Sequence, residues 1–346
     1  MTQGIDIHLF SAAGHNNYGD DLITEMWLEK LRNAKAKISL YCGGAFKPDA
    51  VYKNLSGIHN FWNGVEKIPS MTGDKDLVIL TGGGYSNILF DVSPRLFRAI
   101  ARAPANSVIW TGADIFPQSD ETMALLENCR SSFRFVETRD KTSCDLFNRA
   151  GIKARCGVDD IFMFPKSRIA EVFPSENRNL ILNVQNQFVD SASLNDVTKM
   201  IEHRFASEGF DRIVSYELCR DSDSDIAEIL LKKGLPVSIV TRDMIGNRSL
   251  RIPSKSKYIT TRFHFHLAMC RIGAEGTCIS LNEYYDNKHR AVIEHFPKAK
   301  RSIVWSTKAN ETISYYKNFP WISSFRDGNL MKRKRGTVAE TIEGFL

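Results

Sequence analysis

Short apolar stretches alternate with helical stretches along most of the sequence, and this alternation constrains the fold more than any other feature. The first half contains predicted helices at residues 21–31, 93–101, 122–128 and 141–150. Its predicted strands are residues 5–10, 38–41, 77–80, 107–111 and 133–138. Strands and helices that alternate at this spacing are typical of a parallel sheet covered on both faces. The first half therefore predicts a doubly wound α/β domain.

A second series of the same kind follows. Its predicted helices are residues 195–208 and 224–233 and a third from about residue 265. Its predicted strands are residues 180–184, 212–216, 237–241, 257–261, 277–281 and 302–305. A chain of 346 residues is long enough for two domains. We therefore predict two doubly wound, Rossmann-like α/β domains.

The predicted boundaries follow from a segment of mixed charge and proline between the two series. The first domain is expected at residues 1–165, and a linker at 166–178. The second is expected at 179–320, followed by a basic C-terminal tail and helix at 321–346. Ligands of such sheets bind beyond the carboxyl ends of the strands, so the expected site is a cleft between facing domains.

Composition excludes several classes of protein. The longest apolar runs are the length of a strand, far below a membrane span, and the N-terminus has no secretion signal pattern. The seven cysteines are dispersed without CxxC spacing, which fits a reducing cytoplasm. A net charge of +6 is a mild excess that suits small anionic substrates or a membrane surface, and we expect no nucleic-acid partner.

The loop after the first strand, NNYGDD, is the first candidate site. Asn17 and Gly19 lie in a turn whose backbone N–H groups open onto a helix N-terminus, which can bind an anion or a hydroxyl. Asp20 or Asp21 can cap that helix, which leaves the other carboxylate for a substrate hydroxyl. The alternative is a turn and a cap with no ligand.

Two further candidates follow strands of the first domain. Gly82, Gly83 and Gly84 end a strand, and three consecutive glycines indicate close backbone approach by a ligand or by a neighbouring helix. Arg139 follows another strand, where a guanidinium suits bidentate binding of a carboxylate or phosphate. The alternative is that Arg139 forms an ion pair and Asp140 caps the next helix.

The stretch TTRFHFHLAMC places Arg262, His264 and His266 at every second position, on a strand face or where a strand meets a helix. A metal site needs three or four ligands, and Glu275 alone stands near the two histidines in sequence. His266 is expected to be structural and bonded to a backbone carbonyl. Arg262 can hold an anion while His264 moves a proton, which makes this pair the best candidate for chemistry.

Two basic features lie further along the chain. Lys288, after another short strand, can add a second cation to an anion site, or it can be solvated on the surface. The basic run at residues 332–335 is expected to be a solvated face. Its alternative is a peripheral contact with anionic lipid headgroups.

Six motifs follow one another along the chain: Asn17-Tyr18-Gly19-Asp20, Gly82 to Gly84, Arg139-Asp140 with Ser143, Asp159 with Phe162, Arg262-Phe263-His264, and Tyr285 with Lys288. Taken in this order, they resemble the polysaccharide pyruvyl transferase family over roughly residues 5–295. Two features depart from the family pattern: Phe263 replaces the usual leucine, and the segment RIGAEGTCI lacks the common Gly-x-Pro.

The resemblance implies a fold like that of the B-type glycosyltransferases and a reaction with phosphoenolpyruvate. The enolpyruvyl group would be transferred to a sugar of a polysaccharide or its glycolipid precursor as a cyclic ketal, without metal or cofactor. The first domain would lie on the acceptor side and the second on the donor side. Arg139, Arg262 and Lys288 would bind the anionic donor. His264 would be the acid, and Asp20 a base or an acceptor-positioning group. The enzyme is expected in the cytoplasm or at the inner face of the membrane.

Two other functions fit the same pattern. A glycosyltransferase of this architecture would use a nucleotide sugar, with residues 82–84 and Arg262 near its diphosphate. A non-catalytic sugar-binding protein would need a signal peptide or an N-terminal DNA-binding motif, and the strand from Ile5 is expected to leave room for neither.

Overall fold

The chain forms two compact units in the computed structural model. The first comprises Met1–Met163 and Leu330–Leu346, and the second Phe164–Asn329. The structure describes residues 5–44, 46–71, 76–86, 93–116, 119–186, 191–220, 222–223, 225–280, 282–296, 300–305, 312–318 and 323–342.

A parallel sheet forms the centre of the first unit. Its strands are β1 (Ile5–Phe10), β2 (Ala36–Cys42), β3 (Leu55–Asn60), β4 (Asp76–Leu80), β5 (Gly83–Ser86), β6 (Val108–Ile115), β7 (Phe133–Thr138) and β8 (Ala154–Cys156). The helices are α1 (Tyr18–Leu31), α2 (Phe61–Lys67), α3 (Ser93–Ile100), α4 (Asp120–Asn128) and α5 (Lys141–Arg149). The strand order is β3-β2-β1-β4-β6-β7-β8, with β5 paired to β6. The order reverses between β1 and β4, as in a doubly wound sheet.

The second unit repeats this plan. Its strands are β9 (Ala170–Phe173), β10 (Asn179–Asn183), β11 (Arg212–Glu217), β12 (Val237–Thr241), β13 (Leu250–Pro253), β14 (Lys257–Thr260), β15 (Glu275–Ser280), β16 (Lys300–Trp305) and β17 (Thr312–Asn318). The helices are α6 (Ser191–Glu208), α7 (Asp225–Lys232), α8 (Arg242–Ile245), α9 (Phe263–Ile272), α10 (Glu283–His295) and α11 (Ser323–Ile342), which ends in the first unit.

The main sheet of the second unit has the order β12-β11-β10-β14-β15-β17-β16. The first five strands in this order, β12, β11, β10, β14 and β15, are parallel. Strands β17 and β16 are antiparallel additions at the β15 edge. Strands β9 and β13 form a separate parallel pair. The predicted fold class, two doubly wound parallel α/β domains, is confirmed.

Apolar strands buried on both faces explain why the sheets form. Leu9 and Phe10, adjacent on β1, face opposite sides of the first sheet and are both completely buried. Ile181 and Leu182 on β10 are buried in the same way in the second unit. The apolar residues thus lie in sheet cores. Within the described ranges, no helix is both long and apolar enough to cross a bilayer.

The boundaries differ from the predicted ones. The predicted linker at 166–178 contains β9, whose backbone is paired with β13, so that segment is part of the second unit and the division follows Met163. The predicted C-terminal tail is largely α11, and its residues from Leu330 belong to the first unit. Val338 and Ile342 are buried there, which explains why the helix is held.

One disulfide was not predicted from the cysteine spacing. Cys144 of α5 is bonded to Cys156 of β8, with their Cα atoms 5.5 Å apart. That Cα separation is usual for a disulfide. The bond ties α5 to the strand at the edge of the first sheet.

Candidate functional site

Arg262 directly precedes α9 and lies just beyond the carboxyl end of β14. Its Nε and Nη2 donate to Oδ1 of Asp223 at 2.8 and 2.5 Å, and Nη2 also donates to the Ser222 hydroxyl. No described residue accepts a hydrogen bond from Nη1, and the side chain is 15% exposed. One edge of the guanidinium is therefore fixed, and the other can receive an oxyanion.

Asp223 holds Arg262 from a completely buried position. Its Oδ2 accepts from the backbone N–H groups of Leu218 and Cys219 at 3.0 and 2.9 Å, and from Nδ2 of Asn183 at 3.0 Å. Burial raises the pKa of the Asp223 carboxyl, and the Arg262 guanidinium opposes that rise. Every oxygen of the carboxylate is thus bonded, so the arginine cannot swing without breaking a buried network.

His264 is the second residue of α9, and its ring packs edge-on against Phe263 at 5.0 Å between centroids. The ring is partly buried. The Arg262 side chain makes no capping bond to this helix. Because the first-turn N–H groups and the helix dipole both favour negative charge, Arg262 and His264 lie where an anion is stabilised.

His266 does not share a face with His264, because the stretch from Phe263 is helical and residues two apart on a helix point in different directions. Nδ1 of His266 lies 3.0 Å from Nδ1 of His289, and Nε2 of His289 donates to the carbonyl of Thr261 at 3.3 Å. Burial lowers the pKa of His266 well below its usual range and that of His289 to about 4. Both rings are therefore neutral at pH 7. His266 is bonded to another histidine ring, a contact that the sequence did not predict.

The same region contains the group of described residues that could hold a metal ion. Ligand atoms of His266, Cys278 and His289 lie within 4.8 Å of one another, and all three residues are buried. Three ligands are one fewer than a closed zinc site uses, and the hydrogen bond between the rings already engages one nitrogen of each. Glu275, the nearby acid in the sequence, forms an ion pair with Lys257 at 2.8 Å.

The start of α10 completes the site of the second unit. The N-cap residue Asn282 accepts from the backbone N–H of Tyr285 at 3.0 Å, and the Tyr285 hydroxyl donates to Oε1 of Gln185 at 2.9 Å. Lys288 is partly buried, with Nζ 4.1 Å from the centre of the Tyr284 ring. Lys288 therefore lies beside the aromatic residues of the site, in a cation–π contact.

In the first unit, the predicted helix cap is wrong. Asn17 is the N-cap of α1 and accepts from the backbone N–H of Gly19 at 3.1 Å, while Asp21 accepts from the N–H of Gly14 at 2.9 Å. Asp20 is partly exposed in the first turn. The cap role belongs to Asn17 because its side chain lies one residue before the helix, where the N2 and N3 donors point.

Gly82 approaches a side chain of its own unit. Its N–H donates to Oδ2 of Asp160 at 2.8 Å, and a Cβ at Gly82 would lie 3.3 Å from the Asp160 side chain. Trp27 and Thr111 donate to the same oxygen, each at 2.8 Å. The close approach predicted from the glycines is therefore made by a buried carboxylate at Gly82, while Gly83 begins β5 and Gly84 follows it.

The basic run of residues 332–335 is not a uniformly solvated face. Lys334 is completely buried, with Nζ 2.6 Å from Oδ1 of Asp160 and bonded to Glu137. The side chain of Arg335 donates to the carbonyl of Met163 at 2.8 Å. The lysine is buried because two buried carboxylates need a counter-charge, which a sequence pattern cannot show.

Arg139 forms two buried ion pairs within the first unit. Its Nη1 donates to Asp159 at 3.0 Å and its Nη2 to Asp114, and the side chain is 3% exposed. Asp140 caps α5, accepting from the N–H of Ser143 at 2.7 Å. This geometry matches the structural alternative for Arg139, an ion pair beside a helix cap.

Sequence comparison then decides the family. The family model described as polysaccharide pyruvyl transferase matches residues 17–268, which include both the Asn17 loop and the Arg262–His264 pair. The chain belongs to the polysaccharide pyruvyl transferase family. A comparison with curated proteins gives no match.

Solved structures similar to this pyruvyl transferase family member support the fold. A UDP-N-acetylglucosamine 2-epimerase from Listeria monocytogenes superposes with a TM-score of 0.53 at 9% identity, covering 85% of this chain and 88% of that one. The UDP-GlcNAc 2-epimerase from Neisseria meningitidis bound to UDP-GlcNAc gives 0.50 at 9% identity, covering 85% and 86%. At such identity the likeness shows a shared architecture, the one predicted from the resemblance.

Three residues that contact the candidate site were not identified from the sequence. Asp223, Ser222 and Gln185 contact Arg262 or Tyr285, but they lie in the loop before α7 and after β10, far from both in sequence. The signal that could have found them is position, since each follows a parallel strand at its carboxyl end.

Proposed function

We propose that this protein transfers the enolpyruvyl group of phosphoenolpyruvate to a sugar and closes a pyruvate ketal, releasing phosphate. The observation that carries the proposal is the Arg262 guanidinium, held along one edge by Asp223 at the start of α9, the helix whose second residue is His264. Family membership supports a transferase that acts on polysaccharide.

The donor carries a carboxylate and a phosphate, and the site offers cationic groups for them. Arg262 supplies a planar, oriented edge that matches an oxyanion, and Lys288 supplies a second charge. The N-terminus of α9 adds its dipole. Because the guanidinium is already oriented before substrate arrives, little side-chain entropy is lost on binding.

In the chemical step, a proton is added to the methylene carbon of phosphoenolpyruvate, which converts it to a methyl group. The adjacent carbon becomes oxocarbenium-like, and one sugar hydroxyl attacks it and loses its proton. The bond to phosphate then breaks, a second hydroxyl closes the ring and loses its proton, and inorganic phosphate leaves. His264 is the proposed donor of the first proton because imidazole exchanges protons near neutral pH.

Two further roles belong to this proposal. Asp20, partly exposed at the start of α1, is the proposed base or acceptor-positioning group. The acceptor is a saccharide or lipid-linked oligosaccharide, and the reaction is placed in the cytoplasm, where phosphoenolpyruvate is made. We propose no nucleic-acid partner and no cofactor.

The test is phosphate release from phosphoenolpyruvate in the presence of a panel of glycosides. We expect release that depends on the glycoside, and a slowing of turnover by about 10²–10⁴-fold in His264→Ala. His203→Ala is the matched control, since His203 is exposed on α6 of the same unit. Arg262→Lys keeps the charge but loses the fork, so the KM for phosphoenolpyruvate should rise.

Three outcomes would count against the proposal. Transfer from a UDP-sugar with no use of phosphoenolpyruvate would assign the chain to nucleotide-sugar chemistry instead. Full activity in His264→Ala would remove His264 as the acid. An unchanged KM in Arg262→Lys would remove the guanidinium edge from the donor site.

A further inference from the structure

Gln185 is a buried polar side chain that the proposed reaction has not yet used. It lies two residues beyond the carboxyl end of β10 and is 1% exposed. Its Oε1 accepts from the Tyr285 hydroxyl at 2.9 Å. Its Nε2 has no hydrogen-bond partner among the described residues. A buried donor without an acceptor costs free energy, so its retention needs an explanation.

Both the backbone and the side chain of Gln185 are held by hydrogen bonds. The backbone N–H of Gln185 donates to the Thr261 hydroxyl at 2.8 Å, and Thr261 is the residue before Arg262. Tyr285, which orients the carbonyl end of the amide, is itself placed by the Asn282 cap at the start of α10. The unused N–H groups thus belong to a fixed side chain at the ends of β10 and β14.

Gln185 is also electrostatically connected to the anion site. Its partner Tyr285 interacts with the charge of Arg262, since that guanidinium opposes the burial-driven rise in the pKa of the phenol. The side chains of Arg262 and Gln185 therefore both interact with Tyr285. Both groups supply N–H donors, which is the chemistry that recognises oxyanion oxygens.

We propose that Gln185 is a binding residue of the donor site, whose Nε2 donates to a carboxylate or phosphate oxygen of the anion held by Arg262. Tyr285 is its positioning residue. The inference rests on the proposed function for the identity of the anion, phosphoenolpyruvate. The burial cost of the unpaired donor in the free protein is then removed when the ligand supplies an acceptor.

The test compares ligand affinity with the stability of the unliganded protein. In Gln185→Met, which keeps the chain length, calorimetry should show affinity for phosphoenolpyruvate about 10- to 100-fold weaker, as expected for a hydrogen bond to a charged group. In the double variant Gln185→Met with Tyr285→Phe, no polar partner is left unpaired. Its melting temperature without ligand should equal or exceed that of the wild type.

A matched control is Ser215→Ala on β11, which removes a different buried polar group, a hydroxyl without a partner in the described structure. It should leave phosphoenolpyruvate affinity unchanged. Inorganic phosphate and pyruvate, titrated separately, show whether Gln185 binds the phosphate or the carboxylate of the donor. Only the ligand that carries the bound group should lose affinity in Gln185→Met.

The outcomes separate the two proposals. Unchanged phosphoenolpyruvate affinity in Gln185→Met, with a lower melting temperature in the double variant, overturns the role of Gln185 alone and makes it a structural residue or a ligand of buried water. If the wild type binds UDP instead of phosphoenolpyruvate, the proposed function is wrong, and the same variants titrated with UDP decide whether Gln185 reads its diphosphate. A wild type that binds none of these probes overturns both.

Discussion

At the scale of the residue, the molecule contains buried carboxylates that are each paired with a nearby cation. Asp223 has Arg262, while Asp160 and Glu137 share Lys334. Each pair costs desolvation, and its value lies in orientation more than in stability. For Asp223 the result is a fixed guanidinium at the candidate site, and for Asp160 it is an ordered backbone at Gly82.

Replacement of Lys334 should show how much the first unit depends on one counter-charge. Lys334→Met leaves Glu137 and Asp160 buried together without a cation, which should lower the free energy of unfolding by about 3–5 kcal/mol. Lys332→Met on the exposed part of the same helix is the control. Urea unfolding measures both, and equal stability of the two variants would show that the buried network is not needed.

At the scale of the element, helix starts do most of the positioning. Asn17 caps α1, Asp140 caps α5 and Asn282 caps α10, each following a strand of its sheet or the loop beyond it. At α9 the equivalent position is Arg262, whose side chain turns to Asp223 and makes no cap bond. The first turn of the helix that carries His264 is thus not closed by its own N-cap side chain, unlike those of α1, α5 and α10.

The cap of α1 can be separated from any role in substrate binding. Asn17→Ala should lower stability by about 1 kcal/mol, as should Asn60→Ala at the start of α2, because both amides accept from first-turn N–H groups. Thermal unfolding and phosphate release are measured on both variants. A loss of activity confined to Asn17→Ala would add a ligand role, whereas no loss of stability would contradict the cap.

At the scale of the whole molecule, the same alternation of strands and helices forms both units, and each unit also contains a segment that is distant in sequence. The last part of α11 contributes Lys334 and Val338 to the first unit, although the chain has passed through the second. In the second unit, β9 pairs with β13 from far along the sequence. Long-range pairings of this kind explain why the predicted boundaries were displaced.

The buried histidine pair predicts how the stability of the molecule depends on pH. The folded pKa of His289 is lowered to about 4, so the unfolded chain binds its proton first and stability falls as pH drops from about 6.5 to 4. Burial lowers the pKa of His266 as well, so its protonation also favours the unfolded chain. His289 alone should account for about 3 kcal/mol over that window. His289→Gln should flatten the decline in urea titrations, and a parallel curve would contradict the assignment.

The sequence by itself determined the alternation of strands and helices, the doubly wound sheets and the position of the Arg262–His264 pair. These follow from local periodicity and from strand ends, which neighbouring residues specify. Only the tertiary structure decided which charges meet. Lys334 was expected on a solvated face and is buried, Arg139 is engaged by two carboxylates, and Gln185 went unnoticed. The physical reason is that a charge or amide is defined by its partners in space, and these partners lie far away in sequence.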